Sequence, residues 1–169
     1  MITLRTADLK NKRVLIRVDF NVPLNDTFQI TDDKRMQESM PTIKFILEKG
    51  GSCILMSHLG RPKNGPEDKF SLEHLVPHLT EMLGVPVIFG GDCISNSAFE
   101  ITSKLKAGQV VLLENLRFYK EEEKGDVEFS MKLAKHGDIY VNDAFGTAHR
   151  AHASPRLSPI FSAQNIRDF

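Results

Sequence analysis

The sequence has no excess of charge of either sign. Lys plus Arg number 22, Asp plus Glu number 22, and the formal net charge is zero with neutral histidines. A dedicated nucleic-acid or membrane-surface binder carries an overall basic excess, so neither partner is expected, and any anion site has to come from local clustering. Cysteine is scarce. Cys53 and Cys93 both stand beside apolar runs and are expected as reduced, buried thiols rather than a disulfide framework. No run approaches the ~20 apolar residues of a membrane span. The N-terminus MITLRTADLKNKR lacks the apolar segment of a secretory leader, so a cytoplasmic setting is expected. Glycine signatures are missing too: there is no GxxxxGKS/T loop, no GxGxxG and no GxSxG, and Gly60 and Gly65 do not build a nucleotide cradle.

What is present suits one globular domain. The 169 residues are 41% hydrophobic and 26% charged, and a chain near this size buries roughly two-thirds of its unfolded surface. Apolar runs alternate with amphipathic stretches. RVLIRVDF (13–20), SCILMSHL (52–59), VPVIFGGD (85–92), QVVLLENL (109–116) and DIYVNDAF (138–145) read as strands covered on both faces. Between the first two, Asp32 or Asp33 is placed to cap a helix with Met36, Met40, Ile43 and Leu47 on one face, stopped by Gly50-Gly51. Pro41 predicts a kink or a restart there. Ser71 is placed to cap a second helix carrying Leu72, Leu75, Leu79 and Leu83, ending at Gly84, with Pro77 as an irregularity. Residues 97–108 and 128–137 complete the helices, KEEEKGD (120–126) reads as a solvated loop, and His74, His78 and His136 read as helix-surface residues. Strand–helix alternation implies an α/β fold: a mostly parallel sheet with helices on both faces.

Ligands of such sheets sit beyond the carboxyl ends of the strands. There the sequence places Asp19-Phe20-Asn21, then Ser57-His58-Leu59-Gly60-Arg61, then Arg117, then His149-Arg150-Ala151-His152. Arg35 falls in the first turn of the first helix. Alone, each residue has an ordinary explanation: a strand-end arginine is a surface ion pair, Asp-x-Asn is a turn. Together, at successive strand ends of a neutral chain, they argue for an anion site. Arginine offers a planar fork of donors to phosphate or carboxylate, histidine can donate to oxyanions, and Asp19 and Asn21 suit hydroxyls. A small phosphorylated hydroxy acid fits. A metal at His149 and His152 is disfavoured by Arg150 between them.

The same segments carry a family likeness. RVLIRVDFNVPL, ITDDKRMQESMPTIKFILEKG, SHLGRPKNGPEDKFSL, VVLLENLRFYKEEEKGD and YVNDAFGTAHRAHAS resemble, in order, the N-terminal domain of phosphoglycerate kinase, from about residue 3 to Ser154. The resemblance implies a three-layer, Rossmann-like domain. It implies a monomeric glycolytic enzyme that transfers a phosphoryl group between 1,3-bisphosphoglycerate and ADP, giving 3-phosphoglycerate and ATP. By the same likeness, Asp19, Asn21, Arg35, His58, Leu59, Gly60, Arg61, Arg117 and Arg150 bind the phosphoglycerate. Arg35 also stabilises the transferring group, His149 and His152 support the site, and Mg-ATP or Mg-ADP belongs to a C-terminal domain outside these residues.

After Ser154 the chain reads PRLSPIFSAQNIRDF, which departs from the family's helical continuation. This divides the chain into a domain over 1–154 and a tail over 155–169. Back-translated and shifted by two bases, Ser154–Ser162 permits residues close to that continuation. A frameshift after the codon for Ser154 is therefore one expectation and a deliberately shortened chain its rival, which the downstream DNA would decide. A chain of this extent is expected to bind 3-phosphoglycerate without kinase turnover, and to self-associate if it exposes apolar surface. The alternative from another class is a stand-alone phosphometabolite-binding module without catalysis.

Overall fold

In the computed structural model, which describes residues 7–63 and 65–143, the apolar runs become five parallel strands. These are β1 (Arg13–Arg17), β2 (Ser52–Met56), β3 (Val87–Gly91), β4 (Val110–Leu113) and β5 (Ile139–Asn142), in the order β3-β4-β2-β1-β5. Each is shorter than its apolar run, and the residues that follow β1, β2 and β4 build the loops at the carboxyl edge of the sheet. Strand alternation sorts the core into two clusters. Val14, Ile16, Val18, Cys53, Leu55, Val110 and Leu112 face one side; Leu15, Ile54, Met56, Val111 and Leu113 face the other. Each fully buried aliphatic side chain contributes on the order of 1.5–3 kcal/mol.

Helices α1 (Lys34–Glu48) and α2 (Val76–Leu83) cover the first face, and α3 (Asn96–Ser103) and α5 (Val127–Ala134) the second. The expected three-layer α/β architecture is thus the one the chain adopts. Met36, Met40, Ile43 and Ile46 are the buried stripe of α1, with Leu47 only partly covered. The helix runs unbroken through Pro41 rather than restarting; burial of that stripe outweighs one missing backbone donor. Asp33 occupies the N-cap position of α1 without a side-chain cap bond. Its carboxylate instead accepts from Gln37 at 2.6 Å and from His78 at 2.8 Å, which holds its pKa below the usual range. Ser71 caps a 3-10 turn over Leu72–Leu75. Pro77 then lies in the first turn of α2, where a missing N–H costs nothing.

Two readings are corrected. KEEEK is not a solvated loop but a short helix, α4 (Lys120–Lys124), closed by Gly125 at φ +65° with Glu122 fully buried. His136 is not on the surface. It is fully buried, donating from Nε2 to the Cys93 carbonyl while the Thr102 hydroxyl donates to Nδ1 at 2.8 Å. Cys53 and Cys93 are buried free thiols, pushed up in pKa by burial. No described helix is long and apolar enough to cross a membrane.

Candidate functional site

β2 and β4 are neighbours, but their outgoing chains run to opposite faces, toward α2 and toward α4 and α5. In an open parallel sheet, such divergence marks the carboxyl edge as the place where ligands are expected. Side chains stitch the loops around it. Asn115 Nδ2 donates to the carbonyls of Leu59 at 2.8 Å and Phe70 at 2.9 Å. Glu114 accepts from the Ser71 hydroxyl at 2.7 Å and from Leu72 N at 2.9 Å. The Ser57 hydroxyl accepts from Phe20 N at 2.9 Å, tying the β1 and β2 loops.

Beyond β1, Val18 and Phe20 point into the core, so alternation turns Asp19 and Asn21 outward. Asp19 Oδ1 accepts from Asn21 N at 3.1 Å and pairs with Arg35 Nη1 at 3.5 Å. Arg35 Nη1 also donates to the Asn21 carbonyl at 3.0 Å. Asn21 Oδ1 accepts from Gly60 N at 2.9 Å. Gly60 has φ +61°, and a Cβ there would lie 2.4 Å from Phe70 Cε1, so backbone and packing both demand glycine. Asn21, Arg35, Leu59, Gly60, Lys69 and Phe70 line an open cleft of about 450 Å³. Lys69 Nζ stands 5.0 Å from the centre of the Phe70 ring.

A second cluster lies on the other face of the sheet, the side of Leu15 and Tyr140. Arg17 ends β1 wholly out of water and pairs with the equally buried Glu122 at 3.1 Å. Its other arm, Nη2, is 3.2 Å from His58 Nδ1. Burial lowers the Arg17 pKa and the Glu122 carboxylate opposes this; Arg117 is a like-charge neighbour. The Arg117 side chain is 11% exposed and pairs with Glu123 at 3.0 Å.

The structure therefore gathers Asn21, Arg35, Leu59 and Gly60 at one cleft, with Asp19 bonded to Arg35 and Asn21, and sets His58 and Arg117 in the adjoining cluster around Arg17. Arg61 is exposed and has no ion pair among the described residues. Arg150, His149, His152 and the tail after Ser154 lie outside the described residues. Sequence reasoning passed over Lys69, Arg17 and Glu122. Arg17 did carry a signal: a charge inside an apolar strand, buried on both faces, demands a buried carboxylate, and the EEE run supplied one.

A parallel sheet whose carboxyl edge sets Asn21, Arg35, Gly60 and Lys69 around a small cleft defines an α/β domain with its cleft beyond the strand ends. The family model for phosphoglycerate kinase matches residues 4–162, and the chain belongs to that family. It is 59% identical over 167 residues to the cytosolic phosphoglycerate kinase of Triticum aestivum, covering 99% of this chain and 41% of that protein. The chloroplastic phosphoglycerate kinase of Volvox carteri is 56% identical over 164 residues, 96% of this chain and 36% of that one. The crystal structure of phosphoglycerate kinase from Pyrococcus horikoshii OT3 superimposes with a TM-score of 0.85 at 35% identity, covering 99% of this chain and 44% of that one. The chain spans well under half the length of these relatives.

Proposed function

We propose that this chain is the phosphoglycerate-binding half of a phosphoglycerate kinase. In the full-length enzyme it would hold 3-phosphoglycerate or 1,3-bisphosphoglycerate during reversible phosphoryl transfer with ADP and ATP in glycolysis. One observation carries the reading: Arg35, Asp19, Asn21 and Gly60 are bonded into a single cleft at the ends of β1 and β2. Asp19 and Asn21 would take the hydroxyl and carboxylate end of the acid. Arg35, His58, Arg61, Arg117 and Arg150 would supply charge to its anionic groups. Among the described residues, Arg35 is half exposed and tied only to the Asp19 carboxylate and a carbonyl, so it can turn toward a ligand. Phosphoryl transfer asks a protein for positioning and positive charge on the equatorial oxygens, with little covalent work.

The chain carries no glycine-rich phosphate loop for Mg-ATP or Mg-ADP. In this reading the nucleotide is bound by the part of the enzyme outside 1–154, with 155–169 a tail apart from the domain. A cytosolic address belongs to the proposal; curated relatives carry both cytosolic and chloroplastic names.

Calorimetry on the 169-residue chain tests it. Saturable binding of 3-phosphoglycerate, none of Mg-ATP, and no turnover in a coupled assay are expected. Tighter binding of an unrelated phosphometabolite, or normal turnover, would overturn it.

A further inference from the structure

Arg17 and Glu122 have no direct task in the ligand reading, yet both are fully buried and ion-paired. Taking two charges out of water is unfavourable unless the arrangement secures something more than the pair itself. The second arm of the guanidinium indicates what that is. Nη2 lies 3.2 Å from His58 Nδ1. A guanidinium has five donors and no acceptor. His58 Nδ1 therefore has to accept, and the proton of the neutral ring has to sit on Nε2. A second proton on Nδ1 would set N–H against N–H and place a new cation beside Arg17.

Charged and titratable groups acting on Arg17 include Glu122 from α4, Tyr140 from β5, Arg117 from the turn after β4, and Asp19 from the loop after β1, and Asp143 N donates to the Arg17 carbonyl at 2.7 Å. Glu122 is engaged by Arg17 at 3.1 Å and Asp19 by Arg35 at 3.5 Å.

We propose that Arg17, anchored by Glu122, is a positioning residue that locks His58 as the neutral ring with its proton on Nε2, giving the site one fixed N–H donor. What that donor meets, an anionic oxygen of phosphoglycerate, rests on the function proposed above; the lock itself does not.

Nitrogen-15 spectroscopy of the six histidine rings in the 169-residue chain tests the lock directly, with His58→Gln assigning the ring by loss of its signals. The expected result is an unprotonated Nδ1 and a protonated Nε2, with no titration between about pH 5 and 8. A proton on Nδ1, or an ordinary titration near about pH 6.5, would overturn it. The double variant Arg17→Met/Glu122→Met removes both charges together and leaves neither orphaned. It should restore ordinary titration and mixed tautomers at His58; an unchanged ring would refute the role of Arg17. The spectrum of the unaltered chain decides the matter even if that variant does not fold. Added 3-phosphoglycerate should shift the Nε2–H signal and leave Nδ1 in place. A locked ring that ignores the ligand would keep the lock and remove His58 from the binding site.

Discussion

Arg17–Glu122 and Arg35–Asp19 are both arginine–carboxylate pairs set by the end of β1, at 3.1 and 3.5 Å. In the first, neither side chain touches water; in the second, 53% of the Arg35 side chain and 28% of the Asp19 side chain remain exposed. The chemistry is the same, and the surroundings reverse its meaning. An exposed pair is worth about 0–1 kcal/mol, so Arg35 can exchange Asp19 for a ligand anion at little cost. A buried pair cannot be opened without stranding a charge. The inner pair is therefore scaffold, and the outer one can be given up to a ligand, as the proposed function asks of it.

That contrast can be broken by experiment. Glu122→Ala leaves Arg17 buried and unpaired, and should lower unfolding stability by roughly 3–5 kcal/mol in urea denaturation. A loss below about 1 kcal/mol would make the two pairs equivalent. His136 probes the same buried side of the sheet by pH. Burial holds its pKa below the ordinary value. The unfolded chain then binds the proton more readily, so stability should fall as pH drops below about 6.5 and level off once the folded-state pKa is passed. The contribution is at most about 1.4 kcal/mol per pH unit. His136→Gln should lose that part of the slope when unfolding is compared at about pH 7.5 and 5.5; an unchanged slope would assign it elsewhere. Arg35→Ala should have the smallest effect on stability, within about 1 kcal/mol. Calorimetry on the same variant should find 3-phosphoglycerate binding weakened by about 1.5–3 kcal/mol, as for a lost hydrogen bond to a charged group.

Much of this was legible because short-range rules govern it. Each strand core is a continuous apolar run, and only a sheet covered on both faces can use five of them. The Met36, Met40, Ile43 spacing defines a helix face whatever lies opposite. The errors share another cause. KEEEK reads as solvent-facing because three glutamates normally are; Glu122 is buried against Arg17, 105 residues away in sequence. His136 looks like a surface histidine until Thr102 and Cys93 arrive from other elements to satisfy both its nitrogens. At the candidate site, the strand-end residues could be listed in advance. Their division into a cleft around Asn21 and Arg35 and a cluster around Arg17 could not, since it depends on which loops diverge.

By itself, the sequence determined the strand and helix faces, the edge of the sheet where ligands belong, and the set of residues offered there, because periodicity and local chemistry act within a few residues. The tertiary structure alone decided which arginine is buried and which is open. The cost of a charge is set by the water around it, and that is a property of the packed chain rather than of any residue in it.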